Sequence, residues 1–203
     1  MSDYEPRVGT VERKTKETAI AVTWILDPSE ADLASGSKIQ SGIGFYDHML
    51  EALAKHSRTV LHLTCDGDTH IDCHHTVEDC AIALGQCLRN ALGDRAGCER
   101  YGHAVVPLDE ALVGVTLDLS GRAWCSDDFA IQAPMIGELD TELVPHLFWS
   151  LAEHGAMTVH IEQKRGRNAH HIVEAAFKAF ARALRQAIAR SGSAVASTKG
   201  VLA

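Results

Sequence analysis

His74, His75 and Glu78 form a His-His-x-x-Glu cluster, and His170, His171 and Glu174 repeat it 96 residues further on. Residues four apart on a helix share one face, so His74 with Glu78, and His170 with Glu174, each aim an imidazole and a carboxylate at one point. Each pair is a two-ligand clip for a metal ion. The adjacent His75 and His171 are turned by roughly 100° around the helix, toward a second ion or another wall of the same cavity. His48 and His146 stand upstream of the two clusters in matching contexts, DHMLEALAKHS and PHLFWSLAEHG. Six imidazoles and two carboxylates then divide into two sites of three nitrogens and one oxygen, with coordination positions left open. Lacking a thiolate, such sites suit an octahedral divalent ion with exchangeable water, a catalytic rather than a closed structural arrangement. A single HHxxE on a helix is more often ordinary surface; two at matched helix starts, each with a matched upstream His, favour ligands. His56 and His154, eight residues beyond His48 and His146, are as well explained as cations closing their helices.

A duplicated metal clip also fits a non-catalytic metal-binding or storage shell, and the residues that break the repeat bear on the choice. Lys178 continues the stripe of His170 and Glu174 by one turn, where the first half has Ile82. Arg100 and Arg122 lack basic counterparts, and Lys199 stands in Ser197-Thr198-Lys199-Gly200. Cations gathered on one side of a two-metal site imply an anionic substrate with distinct ends, a phosphate above all. In isolation, Lys178 would be a surface partner for Glu174 and Lys199 part of a solvated tail.

The elements that must carry these residues repeat as well. Residues 19–26 and 111–119 are short, apolar, partly β-branched runs that read as strands, each preceded by a partner strand, at 8–17 and 103–108. Apolar spacing of three and four predicts helices over 45–55, with Asp47 as cap, and over 145–154. Alternation over 59–65 and 157–163 predicts half-buried strands. In each half a turn, a short strand and a long alanine-rich helix beginning at the His pair then follow. Each half is β-β-α-β-β-α, and two four-stranded mixed sheets sandwiching a layer of four helices bury both apolar faces, an α+β fold. Residues 1–95 and 96–190 are expected as two halves of one compact domain, with 191–203 a flexible polar tail containing the STKG segment.

With 203 residues, the chain is long enough to bury a core without disulfides or a structural metal. A net charge of −8 with no long basic run argues against nucleic acid and anionic membranes as partners. No apolar stretch reaches the roughly 18 residues of a membrane span, and the polar start MSDYEPRVGT lacks a signal segment. The six cysteines contain no C-x-x-C pair, so a cytoplasmic protein with reduced, packing cysteines is expected.

Over nearly its whole length the sequence resembles the imidazoleglycerol-phosphate dehydratase family of histidine biosynthesis. The resemblance runs through RVGTVERKTKETAI, GFYDHMLEALAKHS, DCHHTVEDCAIALGQ, LDLSGRAWC, NAHHIVEAAFKAFARALRQA and STKG. It implies a hydro-lyase that converts imidazoleglycerol phosphate to imidazole-acetol phosphate. His48, His74, His75, Glu78, His146, His170, His171 and Glu174 match the family's manganese ligands, implying two Mn2+ per active site, with other divalent ions as alternatives. Arg100, Arg122, Lys178, Ser197 and Lys199 match positions that hold the substrate phosphate. Glu17 in TKET matches an acidic residue at the reacting carbons, and His48 and His56 are expected beside the substrate. Glu17, Glu174, His75 and His171 are then the expected catalytic groups, with metals on both ring nitrogens to draw the imidazole toward imidazolate and Glu17 to shuttle a proton. Glu99 and Ala52 depart from the pattern, where a basic residue and an amide are common. The resemblance further implies helices layered between two four-stranded sheets, a shell of twenty-four subunits with metals at subunit interfaces and, from the short stretch before Val8, no fused phosphatase.

Overall fold

The computed structural model describes residues 5–202. In chain order the elements are β1 (Val8–Lys14), β2 (Thr18–Ile25), α1 (Glu30–Ser35), β3 (Lys38–Gln40), α2 (Gly44–Ser57), β4 (Val60–Gly67) and α3 (His74–Leu92). Then come β5 (Tyr101–Leu108), β6 (Ala111–Asp118), β7 (Trp124–Asp127), β8 (Met135–Ile136), β9 (Leu139–Asp140), α4 (Leu143–Gly155), β10 (Thr158–Arg165) and α5 (Ala169–Ala187). One sheet has the order β1-β2-β4-β3 and the other β5-β6-β10-β7. The two match strand for strand, each with three antiparallel strands and a short edge strand parallel to its neighbour.

The alternation of β2 turns Thr18, Ile20, Val22 and Trp24 to one side, and that of β6 does the same with Ala111, Val113, Val115 and Leu117. Onto these apolar faces pack α3 and α5, respectively. The two shorter helices then cross between halves: α4 packs on α3 and α2 on α5. One continuous core results, in which Phe148 of α4 meets Phe177 and Phe180 of α5 at ring distances of 5.0 and 5.7 Å.

The duplicated halves and the two mixed sheets are as expected, but the fourth strand of each sheet lies elsewhere than the sequence suggested. Residues 68–73 and 166–168 are turn and loop, and the fourth strands are β3 and β7, ahead of the shorter helices. At three and four residues, these mostly exposed edge strands are too short to show a period of two. Helix α1 is an addition to the four-helix layer, held by a reciprocal capping box between Ser29 and Asp32. Asp47 does not cap α2: the cap position is Ile43, and Asp47, one turn inside, accepts the Ser41 amide at 2.7 Å and fastens the preceding loop.

Gly85 lets α3 and α4 approach closely. A Cβ there would lie 2.8 Å from the Leu151 carbonyl oxygen and the Gly155 nitrogen, and 2.9 Å from His154 Cβ. In a free helix interior alanine is better than glycine by about 0.8–1.0 kcal/mol, but overfilling a packed interface costs about 1–3 kcal/mol. Gly85→Ala should therefore destabilise the fold by about 1–2 kcal/mol in denaturant unfolding. A raised unfolding midpoint would show instead that α4 yields without cost.

Candidate active site

The crossing of α3 and α4 joins ligands from the two halves. His146 Nε2 of α4 lies 2.9 Å from Glu78 Oε1 of α3, and the His74 and His146 rings are 5.3 Å apart. The contact of α2 with α5 builds the counterpart. There His170 Nε2 is 2.9 Å and His48 Nε2 3.7 Å from the same oxygen, Glu174 Oε2. In each trio, His74–Glu78–His146 and His48–His170–Glu174, the donor atoms lie within 4.8 Å of one another. Two imidazoles and a carboxylate at that separation suit a divalent ion of borderline softness. The His–Glu clip of each half is thus completed by the upstream His of the other half.

His75 and His171 do not join the trios, so one chain does not assemble the sets of three nitrogens and one oxygen expected from its sequence. The helical rotation between neighbouring residues turns both rings away. His75 Nδ1 lies 3.0 Å from Asp68 Oδ2, and His171 Nδ1 lies 2.7 Å from Glu110 Oε2, with Asp109 Oδ2 at 3.7 Å from its Nε2. These hydrogen bonds raise the pKa of both imidazoles. Glu110 is itself held down to about 2 by the Asn168 amide, the His171 ring and the Arg167 amide.

The trio on α2 and α5 opens onto a cleft of about 820 Å³ bordered by His48, Ala52, Lys55, His56, Glu174 and Lys178. Glu174 is the least exposed carboxylate of the two trios, and Lys178 Nζ lies 2.7 Å from its Oε1. Burial works against its charge, but Lys178, with His170 and His48, keeps its pKa below the ordinary value. Burial, then the Lys178 and Arg182 charges, lowers the pKa of His56. His154 instead turns back on its own helix, with Nδ1 3.0 Å from the Ser150 carbonyl oxygen.

Arg100, Arg122, Ser197 and Lys199 line a different cleft, of about 710 Å³, and Lys178 is not among its walls. The five residues expected around one phosphate are therefore divided between two clefts within one chain. The Arg100 amide is fixed to the Ala187 carbonyl at the far end of α5, whereas Lys178 lies nine residues earlier, about 13 Å along the helix. The Arg100 side chain makes a two-pronged pair with Asp118 at 2.7 and 3.0 Å and donates to the Ala196 carbonyl at 2.8 Å, drawing the C-terminal segment against the sheet.

Glu17 lies in the turn between β1 and β2. Its carbonyl accepts the Asp68 amide at 3.1 Å and its amide donates to Thr15 Oγ1 at 3.1 Å. Among the described residues its carboxylate has no hydrogen-bond or ion-pair partner. Asp79 of α3 ties this hairpin down, accepting the Thr18 hydroxyl at 2.5 Å and pairing with Arg13 at 2.6 Å. Asp68, Asp79 and Glu110 were not singled out by sequence. One signal existed for Glu110: it stands immediately before β6 as Glu17 stands immediately before β2.

A profile of the family described as imidazoleglycerol-phosphate dehydratase matches residues 41–184. An imidazoleglycerol-phosphate dehydratase of Salinibacter ruber is 49% identical over 98% of this chain and 98% of its own length, and that of Chloroherpeton thalassium is 47% identical over 97% and 98%. Among solved structures, the imidazoleglycerol-phosphate dehydratase of Staphylococcus aureus superposes with a TM-score of 0.80 at 34% identity, covering 91% of this chain and 99% of that one. That from Pyrococcus furiosus superposes with a TM-score of 0.81 at 38% identity, covering 95% and 100%.

Proposed function

From the premise that the chain belongs to the imidazoleglycerol-phosphate dehydratase family, we propose that it dehydrates imidazoleglycerol phosphate to imidazole-acetol phosphate in histidine biosynthesis, as a metal-dependent, cytoplasmic hydro-lyase. The pair of trios carries the metal reading. Each is one nitrogen short of three nitrogens and an oxygen, and His75 and His171 are the two imidazoles left over, both turned away from the trios onto Asp68 and Glu110. The partner subunit's His75 or His171 would complete each set. This supports two Mn2+ per active site, held at subunit interfaces of a homo-oligomer, with twenty-four subunits as the family resemblance implies.

Two divalent ions so held supply Lewis acidity to the imidazole ring of the substrate. The residues of the chain do the rest. Glu17, with its carboxylate unengaged, accepts the proton from the carbinol carbon next to the phosphate-bearing carbon. The hydroxyl on the carbon attached to the ring departs with the proton relayed by Glu17, as water, leaving an enol and an unprotonated Glu17. That enol loses its hydroxyl proton and gains one at the ring-attached carbon, giving the ketone. Arg100, Arg122, Ser197 and Lys199 from one subunit, and Lys178 with His56 from another, would hold the phosphate-bearing end from two sides, which accounts for their division between two clefts.

Supplied with Mn2+, the purified protein should convert imidazoleglycerol phosphate, followed by ultraviolet absorbance of the enol. Chelation should abolish turnover and shrink the particle in light scattering, and Mn2+ should restore both. A protein that binds metal but leaves the ester untouched is a storage shell. One particle size with and without chelator rejects ligands shared between subunits.

A further inference from the structure

The two imidazoles outside the trios are held alike but by residues from different places in the fold. His171 is held by Glu110, in the turn between β5 and β6. One oxygen of Glu110 is anchored by the Arg167 and Asn168 amides at 3.0 and 2.8 Å, and the other meets His171 Nδ1 at 2.7 Å. The residue in the corresponding turn of the first half is Glu17, yet His75 is not held by Glu17. Its partner is Asp68, in the loop from β4 to α3. The Asp68 carboxylate is largely buried, and its second oxygen has no hydrogen-bond partner among the described residues. Leaving a buried carboxylate oxygen unsatisfied is costly, so the contact with His75 is the one this side chain is placed to make.

A carboxylate on one ring nitrogen sets the tautomer of a neutral ligating His, because the carboxylate can only accept: Nδ1 carries the proton and Nε2 keeps its lone pair. Asp109 Oδ2, 3.7 Å from His171 Nε2, lies beyond hydrogen-bond distance and does not compete with Glu110 at 2.7 Å. We infer that Asp68 and Glu110 are positioning residues that hold His75 and His171 with Nδ1 protonated and Nε2 presented outward to a divalent ion, and that Asp68, by taking over in the first half the task Glu110 performs in the second, leaves Glu17 unengaged. This rests on the metal reading proposed above. The departure from the internal repeat follows from a functional need. A turn carboxylate locked by two amides and an imidazole cannot also exchange a proton with substrate, and the first half has moved the holding task to Asp68, immediately after β4, the strand that pairs with β2 on the side away from β1.

Mn2+ titration of the assembled protein, with free Mn2+ read by electron paramagnetic resonance, tests this directly. Asp68→Asn and Glu110→Gln should each weaken Mn2+ binding by about 10- to 100-fold, the usual effect of removing an outer partner of a ligating His. Glu110→Gln keeps an oxygen for the Arg167 and Asn168 amides, so the variant should still fold. Glu17→Gln should bind Mn2+ as the unmodified protein does, because Glu17 holds no ligand. In the chelated protein, 15N spectra of labelled histidine should show two imidazoles leaving the Nδ1-protonated form, one in each positioning variant. Unchanged Mn2+ affinity and unchanged tautomers in both variants would overturn the inference, even with a lowered melting temperature, since that pattern marks a structural contact. If the unmodified protein itself shows no saturable Mn2+ binding, the metal reading fails, which is a separate outcome.

Discussion

His171→Ala should reduce turnover by more than about 100-fold and release bound Mn2+, with the fold retained. Loss of an outer partner already costs about 10- to 100-fold in metal affinity or activity, and loss of a ligand itself should cost more. The ring lies at the start of α5, and the side chains it meets, Glu110 at 2.7 Å and Asp109 at 3.7 Å, belong to the turn between β5 and β6 rather than to the core. Glu110 keeps its two backbone partners, so the loop before α5 stays in place. His75→Ala should behave in the same way, because it takes an equivalent nitrogen from the other half of the repeat. Steady-state kinetics, metal content and thermal unfolding measured on the same preparations would check both. Wild-type activity in either variant would sink the two-metal reading, and loss of stability with full metal content would mark these residues as structural.

Glu17→Gln should lower kcat by about 10²- to 10⁴-fold, the usual contribution of a positioned acid or base, with little change in KM or in metal content. The substitution is nearly isosteric. The contacts that place this residue run through its backbone, from the Asp68 amide to the Glu17 carbonyl and from the Glu17 amide to Thr15 Oγ1, and they survive it. The hairpin stays fastened to α3 through Thr18, Arg13 and Asp79. A loss confined to kcat marks an interaction made in the transition state rather than in binding. Unchanged kcat would remove Glu17 from the chemistry and assign the proton transfer to another group.

Legibility in the sequence followed the range of the interaction. Helices α3 and α5 were readable, with their His-Glu stripes, because a period of 3.6 is a local property of the chain. The strands from β1 to β2 and from β5 to β6 were readable for the same reason, whereas β3 and β7 were too short to show their period. Lys178 was readable both as an asymmetric cation and as a partner of Glu174, and the structure shows the second contact while placing the residue in the cleft beside the trio.

The inventory is legible along the chain: eight candidate ligands in two matched sets, most of the elements that carry them, and the resemblance to the family. Tertiary structure decided their partnerships. That His146 belongs with His74 and Glu78, and His48 with His170 and Glu174, depends on α4 lying against α3 and α2 against α5. That His75 and His171 stand apart, each against a carboxylate from a loop or turn, depends on where the ends of α3 and α5 meet the sheets. Spacing along one helix sets which side chains share a face, but which face meets which is set by burying both sheets and all four long helices in one core, a condition on the whole chain that no local pattern contains.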